Sequence, residues 1–180
     1  MSKTRQRLFK IIMTAILIAL NVVLERIVPS YKIQSQDISF GFVAVAFAAS
    51  FLGIPYAIAV AGFGDLLGSL LFPFGAYFPG FTATNCIFGL ILAVFLYKRA
   101  TILNIALAVI LNKAICSLIL NTIWISVLYR GGLDAFWVVL LGRLPGVAIL
   151  AVIELVIFIL VFWNKSKIRL QLQKAISKFI

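Results

Sequence analysis

The sequence predicts an all-α membrane protein of six transmembrane helices with both termini cytoplasmic, and three observations carry that expectation. First, 64% of the 180 residues are hydrophobic and only 12% are charged, against an apolar share of about 45–50% in soluble domains; the mean hydropathy is +1.17. Second, the apolar residues come in long runs, and each membrane crossing needs about 20 of them. Third, the formal charge of +11 gathers at the two ends of the chain, where lipid headgroups and membrane topology account for it better than nucleic acid does. No internal repeat or second domain is evident, so residues 1–180 read as a single domain.

Taken in order, residues 1–10 are a short basic leader carrying Lys3, Arg5, Arg7 and Lys10. The first helix is expected over residues 8–27, ending at Glu25, Arg26 and Pro29. It is too long for a removed signal peptide and lacks the small-residue cleavage site, so it counts as a crossing. A polar stretch, residues 30–37, leads to a second helix at 38–52; this is barely long enough to span, and is either little tilted or partly re-entrant. Gly53-Ile54-Pro55 reads as a tight turn, with the proline suited to a first helical turn. The third helix covers 55–71, the fourth 80–97 with Lys98-Arg99 closing it, and the fifth 102–128, ending at Tyr129-Arg130-Gly131-Gly132. The sixth runs over 135–163, and Gly142 with Pro145-Gly146 is expected to bend its first third. The basic tail, residues 164–180, reads as an amphipathic segment lying along the membrane surface.

Six crossings put both ends on one side, and the charges say which. The leader, Lys98, Arg99, Lys165, Lys167, Arg169, Lys174 and Lys178 share that side. The other side has Arg26, Lys32 and Arg130, offset by Glu25, Asp37 and Asp134. The excess of Lys and Arg marks the cytoplasmic face, so both termini are placed there.

Between the third and fourth helices, residues 72–81 read Phe-Pro-Phe-Gly-Ala-Tyr-Phe-Pro-Gly-Phe. Each proline lacks an N–H and holds its predecessor extended, so this cannot be mid-helix. It is an outward-facing turn. Its rings serve either as an interfacial aromatic belt or as a flat-sided cap over a planar ligand.

Polar residues then gather in the outer half of the expected bundle: Asn21, Asp65, Asn85, Asn112, Lys113, Asn121 and Arg143. An ionisable group at such depth costs at least about 2.5–3.5 kcal/mol and usually marks a pathway or site. The set argues for an outward-opening polar pocket beneath the aromatic turn. Singly, each residue has a plainer reading. Asn21, Asn112 and Asn121 suit bonds between helices. Asp65 reads equally as an ion-pair partner of Lys113 or Arg143 and as a ligand residue. Arg143 either snorkels outward or aims inward ahead of the Leu144-Pro145-Gly146 bend. Glu154 is too deep for an outer ligand and suits a contact with a neighbouring helix or another subunit. Cys86 and Cys116 fall inside apolar runs and read as packing residues.

Two small-residue pairs, Ala15-xxx-Ala19 in the first helix and Gly64-xxx-Gly68 around Asp65 in the third, permit close helix approach. The chain has no His, CxxC or Walker A sequence. A membrane enzyme is disfavoured by the lack of paired carboxylates, HExxH or a nucleophile elbow. A stand-alone proton-coupled carrier using Asp65 and Glu154 is disfavoured because no repeat or broken midplane helix is evident.

Six helices in under 200 residues, Ala15-xxx-Ala19 and the basic tail resemble the S component, or substrate-binding subunit, of an energy-coupling-factor (ECF) vitamin transporter. Gly64-Asp65-Leu66-Leu67-Gly68, the aromatic turn through Thr82, and Leu141-Gly142-Arg143-Leu144-Pro145 resemble the folate-specific members. The architectural match covers nearly the whole chain and the specific match about a quarter. The resemblance implies an ECF S-component-like bundle in a bacterial plasma membrane. It would capture the vitamin at the outer face and work with a transmembrane coupling subunit and two cytoplasmic ATPases, needing no cofactor or metal of its own. It also implies that Ala15 and Ala19 meet the coupling subunit and that residues 29–37 gate the site. Sister S components for hydroxymethylpyrimidine or pantothenate remain the alternative.

A pterin is flat and edged with donors and acceptors, so Phe74, Tyr77 and Phe81 suit stacking while Asp65, Asn85 and Asn121 suit its edge. Folate also ends in a dianionic glutamate, which Lys113 or Arg143 would neutralise.

Overall fold

The computed structural model describes residues 3–27, 31–33, 36–38, 40–73, 77–97, 101–130 and 132–162. The expected tail at 164–180, Lys98-Arg99, Phe74 and part of the expected gate at 29–37 lie outside the described residues. Helix α1 (Lys3–Val22) passes into a π-helical turn, Val23–Ile27. A hairpin of β1 (Tyr31–Ile33) and β2 (Gln36–Ile38) follows, then α2 (Gly41–Phe51), α3 (Ile54–Leu71) and α4 (Pro79–Leu96). Helix α5 (Ile102–Asn112), a π segment (Lys113–Leu120) and α6 (Asn121–Tyr129) form one continuous rod. A 3-10 turn (Leu133–Ala135) opens α7 (Phe136–Phe162).

Five stretches are long and apolar enough to cross a membrane: Thr4–Ile27, Ile54–Leu71, Pro79–Leu96, Ile102–Tyr129 and Leu133–Phe162. The remaining expected crossing is α2, which has 11 residues. At a rise of 1.5 Å each it extends about 16 Å, roughly half a hydrocarbon core. Its alanines explain why it is nonetheless internal. Ala44, Ala46, Ala48 and Ala49 are almost fully buried, as befits a helix apolar on every side.

Two expectations change. The polar stretch after α1 is not a plain connection: β1 and β2 pair antiparallel, Tyr31 opposite Ile38 and Ile33 opposite Gln36. The chain is thus helical except for one short hairpin among the described residues. The basic leader is not separate either, because α1 already starts at Lys3; Lys, Arg and Gln are good helix formers and simply extend the rod. Further along, α7 continues as one helix through Pro145.

The other breakers act where the sequence places them. Gly53 sits at φ 109° with the Tyr97 ring 3.2 Å from where a Cβ would lie, so only glycine makes this turn comfortably. Pro55 and Pro79 fall in the first turns of α3 and α4, where a missing N–H costs nothing. Helices α3 and α4 then approach closely, since a Cβ on Gly89 would stand 2.7 Å from the Ala57 carbonyl oxygen. Lys10 donates to the Leu52 carbonyl at 3.2 Å, capping the end of α2.

The apolar core fills the end of the bundle nearest the N-terminus. Leu17, Val60, Leu92, Leu96, Ile105, Phe158 and Phe162 meet there, all buried. The opposite end is where the polar side chains collect.

Candidate functional site

A cavity of about 190 Å³ opens among the helices beyond this core. Its polar wall is shared among separate segments: Asn21 and Glu25 from α1 and its π turn, Thr84 and Asn85 from α4, Lys113 and Ser117 from the π segment, Asn121 from α6 and Glu154 from α7. Phe42, Phe88 and Leu150 add apolar surface.

Lys113 and Glu154 are joined here, Nζ to Oε1 at 2.5 Å. Each side chain is about a tenth exposed, 12% and 10%. Both arise on segments that bring them to the cavity: Lys113 opens the π stretch, a geometry often found at functional sites. The Ser117 carbonyl within that stretch receives long contacts, both at 3.5 Å, from Arg143 Nη2 and Thr122 Oγ1. Arg143 is therefore buried and turned into the bundle, resting on backbone behind the cavity wall. Asn121 presents a buried Oδ1 with no hydrogen-bond partner among the described residues.

Asp65 is held on the other side of the helix pair. Its Oδ2 accepts from Thr82 Oγ1 at 2.6 Å, and its Oδ1 lies 3.8 Å from Arg26 Nη2. Arg26 also donates to Ser69 Oγ at 3.0 Å. The expected pairing of Asp65 with Lys113 or Arg143 is thus overturned, because Lys113 is bound to Glu154 and Arg26 is the cation that reaches Asp65. The glycines around Asp65 make this possible. Any Cβ on Gly64 would collide with the Asn21 carboxamide, and one on Gly68 would stand 3.1 Å from Arg26 Nε. What nests in this glycine groove is a pair of side chains from α1 and its π turn. Asn21 is fixed there by donating Nδ2 to the Gly41 carbonyl at 2.9 Å.

Consecutive residues at the end of this first rod consequently part company. Arg26 turns to Asp65 and Ser69, whereas Glu25 lines the cavity. Glu25 makes no hydrogen bond or ion pair with any described residue.

In the described part of the aromatic turn, residues 77–81, the rings of Phe78 and Phe81 pack edge-on against each other at 6.1 Å, and Phe78 meets Trp124 at 5.4 Å. Trp124 in turn donates to Thr84 Oγ1 at 3.0 Å. Tyr77 is 41% exposed, and its hydroxyl shares a 3.2 Å hydrogen bond with Thr82. Of the eight residues read as ligand-binding from the sequence, Asn85, Lys113 and Asn121 line the cavity. Asp65, Tyr77, Phe81 and Arg143 stand behind or beside it, and Phe74 lies outside the described residues. Sequence reasoning misses Glu25, Phe42, Phe88 and Ser117, and sets Glu154 too deep. Glu25 and Glu154 carry a signal as carboxylates within apolar runs; a phenylalanine among 16 carries none. Among the described residues no three His, Cys, Asp or Glu side chains gather to hold a metal ion.

Ala15 and Ala19 both lie exposed on α1, flanked by exposed Ile11, Ile12, Ile16 and Leu20. No other described helix of this chain covers them.

Residues 9–162 match the family described as "ECF transporter, substrate-specific component". The folate transporter FolT of Clostridium novyi is 33% identical over 166 residues, covering 92% of this chain and 93% of that protein. The folate transporter FolT of Leuconostoc mesenteroides subsp. mesenteroides is 31% identical over 125 residues, 68% of this chain and 66% of that protein. A crystal structure of FolT bound with folic acid superposes with a TM-score of 0.74 at 30% identity, over 87% of this chain and 92% of that one. A polar cavity walled by separate membrane helices, in a chain matched along nearly its whole length, leads to one conclusion: the protein belongs to the substrate-specific components of ECF transporters.

Proposed function

We propose that this S component binds folate and delivers it inward in partnership with an energy-coupling module. The observation that carries the reading is the cavity, where hydrogen-bonding groups from separate helices face two phenylalanine rings, in a relative of folate transporters. A pterin needs such a combination, with apolar faces for its ring and polar groups for its edge. Phe42 and Phe88 flank the ring, Asn85 and Asn121 bond to it, and the Lys113–Glu154 pair adds a donor and an acceptor. Tyr77 and Phe81 form the rim. Asp65 ties the first rod, α3 and α4 together through Arg26 and Thr82, and Arg143 positions the π segment. Both act on the ligand through the residues they hold.

Both termini lie in the cytoplasm in this proposal, with α2 as the short sixth segment of a bacterial plasma-membrane bundle. The exposed Ala15–Ala19 face takes the transmembrane coupling subunit, since small residues let helices approach closely. Two cytoplasmic ATPases supply the energy. The lipid-facing sides of the long helices complete the set of contacts.

The purified protein in detergent, titrated with folate, hydroxymethylpyrimidine and pantothenate in the absence of ATP, tests this. Folate alone is expected to raise the melting temperature and quench Trp124, which lies one hydrogen bond from cavity residue Thr84. A response to hydroxymethylpyrimidine or pantothenate and none to folate would reassign the protein to a sister vitamin.

A further inference from the structure

Three charged side chains line the cavity: Glu25, Lys113 and Glu154. Lys113 and Glu154 neutralise each other. Glu25 is left as a half-buried carboxylate with no hydrogen-bond donor among the described residues; Arg26 beside it acts on it through space, its guanidinium donating to Ser69 and facing Asp65. Gly41 packs closely against Glu25, since a Cβ there would stand 3.1 Å from Glu25 Cβ and 3.2 Å from Glu25 Oε2. An acceptor-only group in such a place calls for a ligand that brings donors.

We infer that Glu25 is the specificity-determining residue of the site, accepting the paired N–H donors of a 2-amino-4-oxo heterocycle. This rests on the folate reading and deepens it. The pterin edge carries N3–H and the 2-amino group side by side, spaced to meet the two oxygens of one carboxylate as a guanidinium does. Asp65, which the sequence offers for the same task, already has both oxygens engaged by Thr82 and Arg26.

The test is a pair of calorimetric dissociation constants, for folate and for its 2-desamino-2-methyl analogue. The wild type is expected to prefer folate over the analogue by roughly 30-fold or more, as sites built around a hydrogen-bonding group reject ligands that lack it. Glu25→Gln, which keeps the shape, is expected to shrink that preference to about threefold, mainly by weakening folate. Glu25→Asp should fall between, and serves if the amide variant does not fold. An undiminished preference in Glu25→Gln, or one that collapses in Glu154→Gln instead, overturns the inference while leaving folate binding intact. Failure of the wild type to bind folate at all would take down the functional reading and this inference together.

Discussion

Lys113 Nζ and Glu154 Oε1 meet at 2.5 Å across the cavity wall, joining the π segment to α7. Each side chain is about nine-tenths shielded, so neither charge can fall back on water. Removing one partner of such a pair costs about 3–5 kcal/mol, while replacing both by apolar groups of similar size is often neutral. Glu154→Gln should therefore lower the melting temperature well below that of the Lys113→Met, Glu154→Leu double variant. Equal melting temperatures for the two would mean the charges are not coupled.

The groove in α3 makes a second prediction. Gly64→Ala drives a methyl group into Asn21 and threatens its bond to Gly41, so a loss of about 1–3 kcal/mol is expected. A Cβ on Gly142 in α7 would meet nothing within 4 Å. Gly142→Ala should instead be neutral or stabilise by up to about 1 kcal/mol, the helix-propensity difference. Denaturation of both variants in the same detergent settles the comparison, and an equal cost would show that the groove is not tight.

Around Asp65 the two contacts differ in strength. The 2.6 Å bond from Thr82 ends on a buried carboxylate, and Thr82→Val should cost about 1.5–3 kcal/mol. The Arg26 contact is long, at 3.8 Å. Both side chains are shielded, 10% and 7% exposed, so distance and not exposure weakens this pair. A double-mutant cycle on Arg26 and Asp65 should therefore return a smaller coupling than one on Lys113 and Glu154. A larger coupling for Arg26 and Asp65 than for Lys113 and Glu154 reverses this ranking.

On the outer face of α1, Ala15→Trp with Ala19→Trp should leave melting temperature and folate affinity unchanged, because both alanines are exposed and neither lines the cavity. In the assembly proposed above, uptake in vesicles that also contain a coupling subunit and ATPases should be abolished, since bulky rings keep a partner helix away. Lost folate binding in this variant would instead assign the pair to packing within the chain.

Much of the architecture is legible from residue chemistry alone. The expected third helix, 55–71, is α3 at Ile54–Leu71, and the expected fourth, 80–97, is α4 at Pro79–Leu96. Both are bounded by Pro and Gly, whose effect on the backbone is local and needs no knowledge of neighbours. The first helix is less well bounded because a run of basic helix formers looks the same in a leader and in a rod. The eleven-residue α2 is overestimated because Ile38 and Phe40 ahead of it are as apolar as the helix itself.

By itself, then, the sequence determined that this is a helical membrane protein, where its breaks fall, and that polar groups concentrate toward one end of the bundle. Only the tertiary structure decided which charge meets which. Arg26 finds Asp65, Lys113 finds Glu154, and Glu25 is left facing the cavity. The reason is geometric. Hydropathy sets how deep a side chain lies, but the partner it reaches depends on the rotation of each helix. That rotation is fixed by contacts such as Gly64 against Asn21 and Gly89 against Ala57.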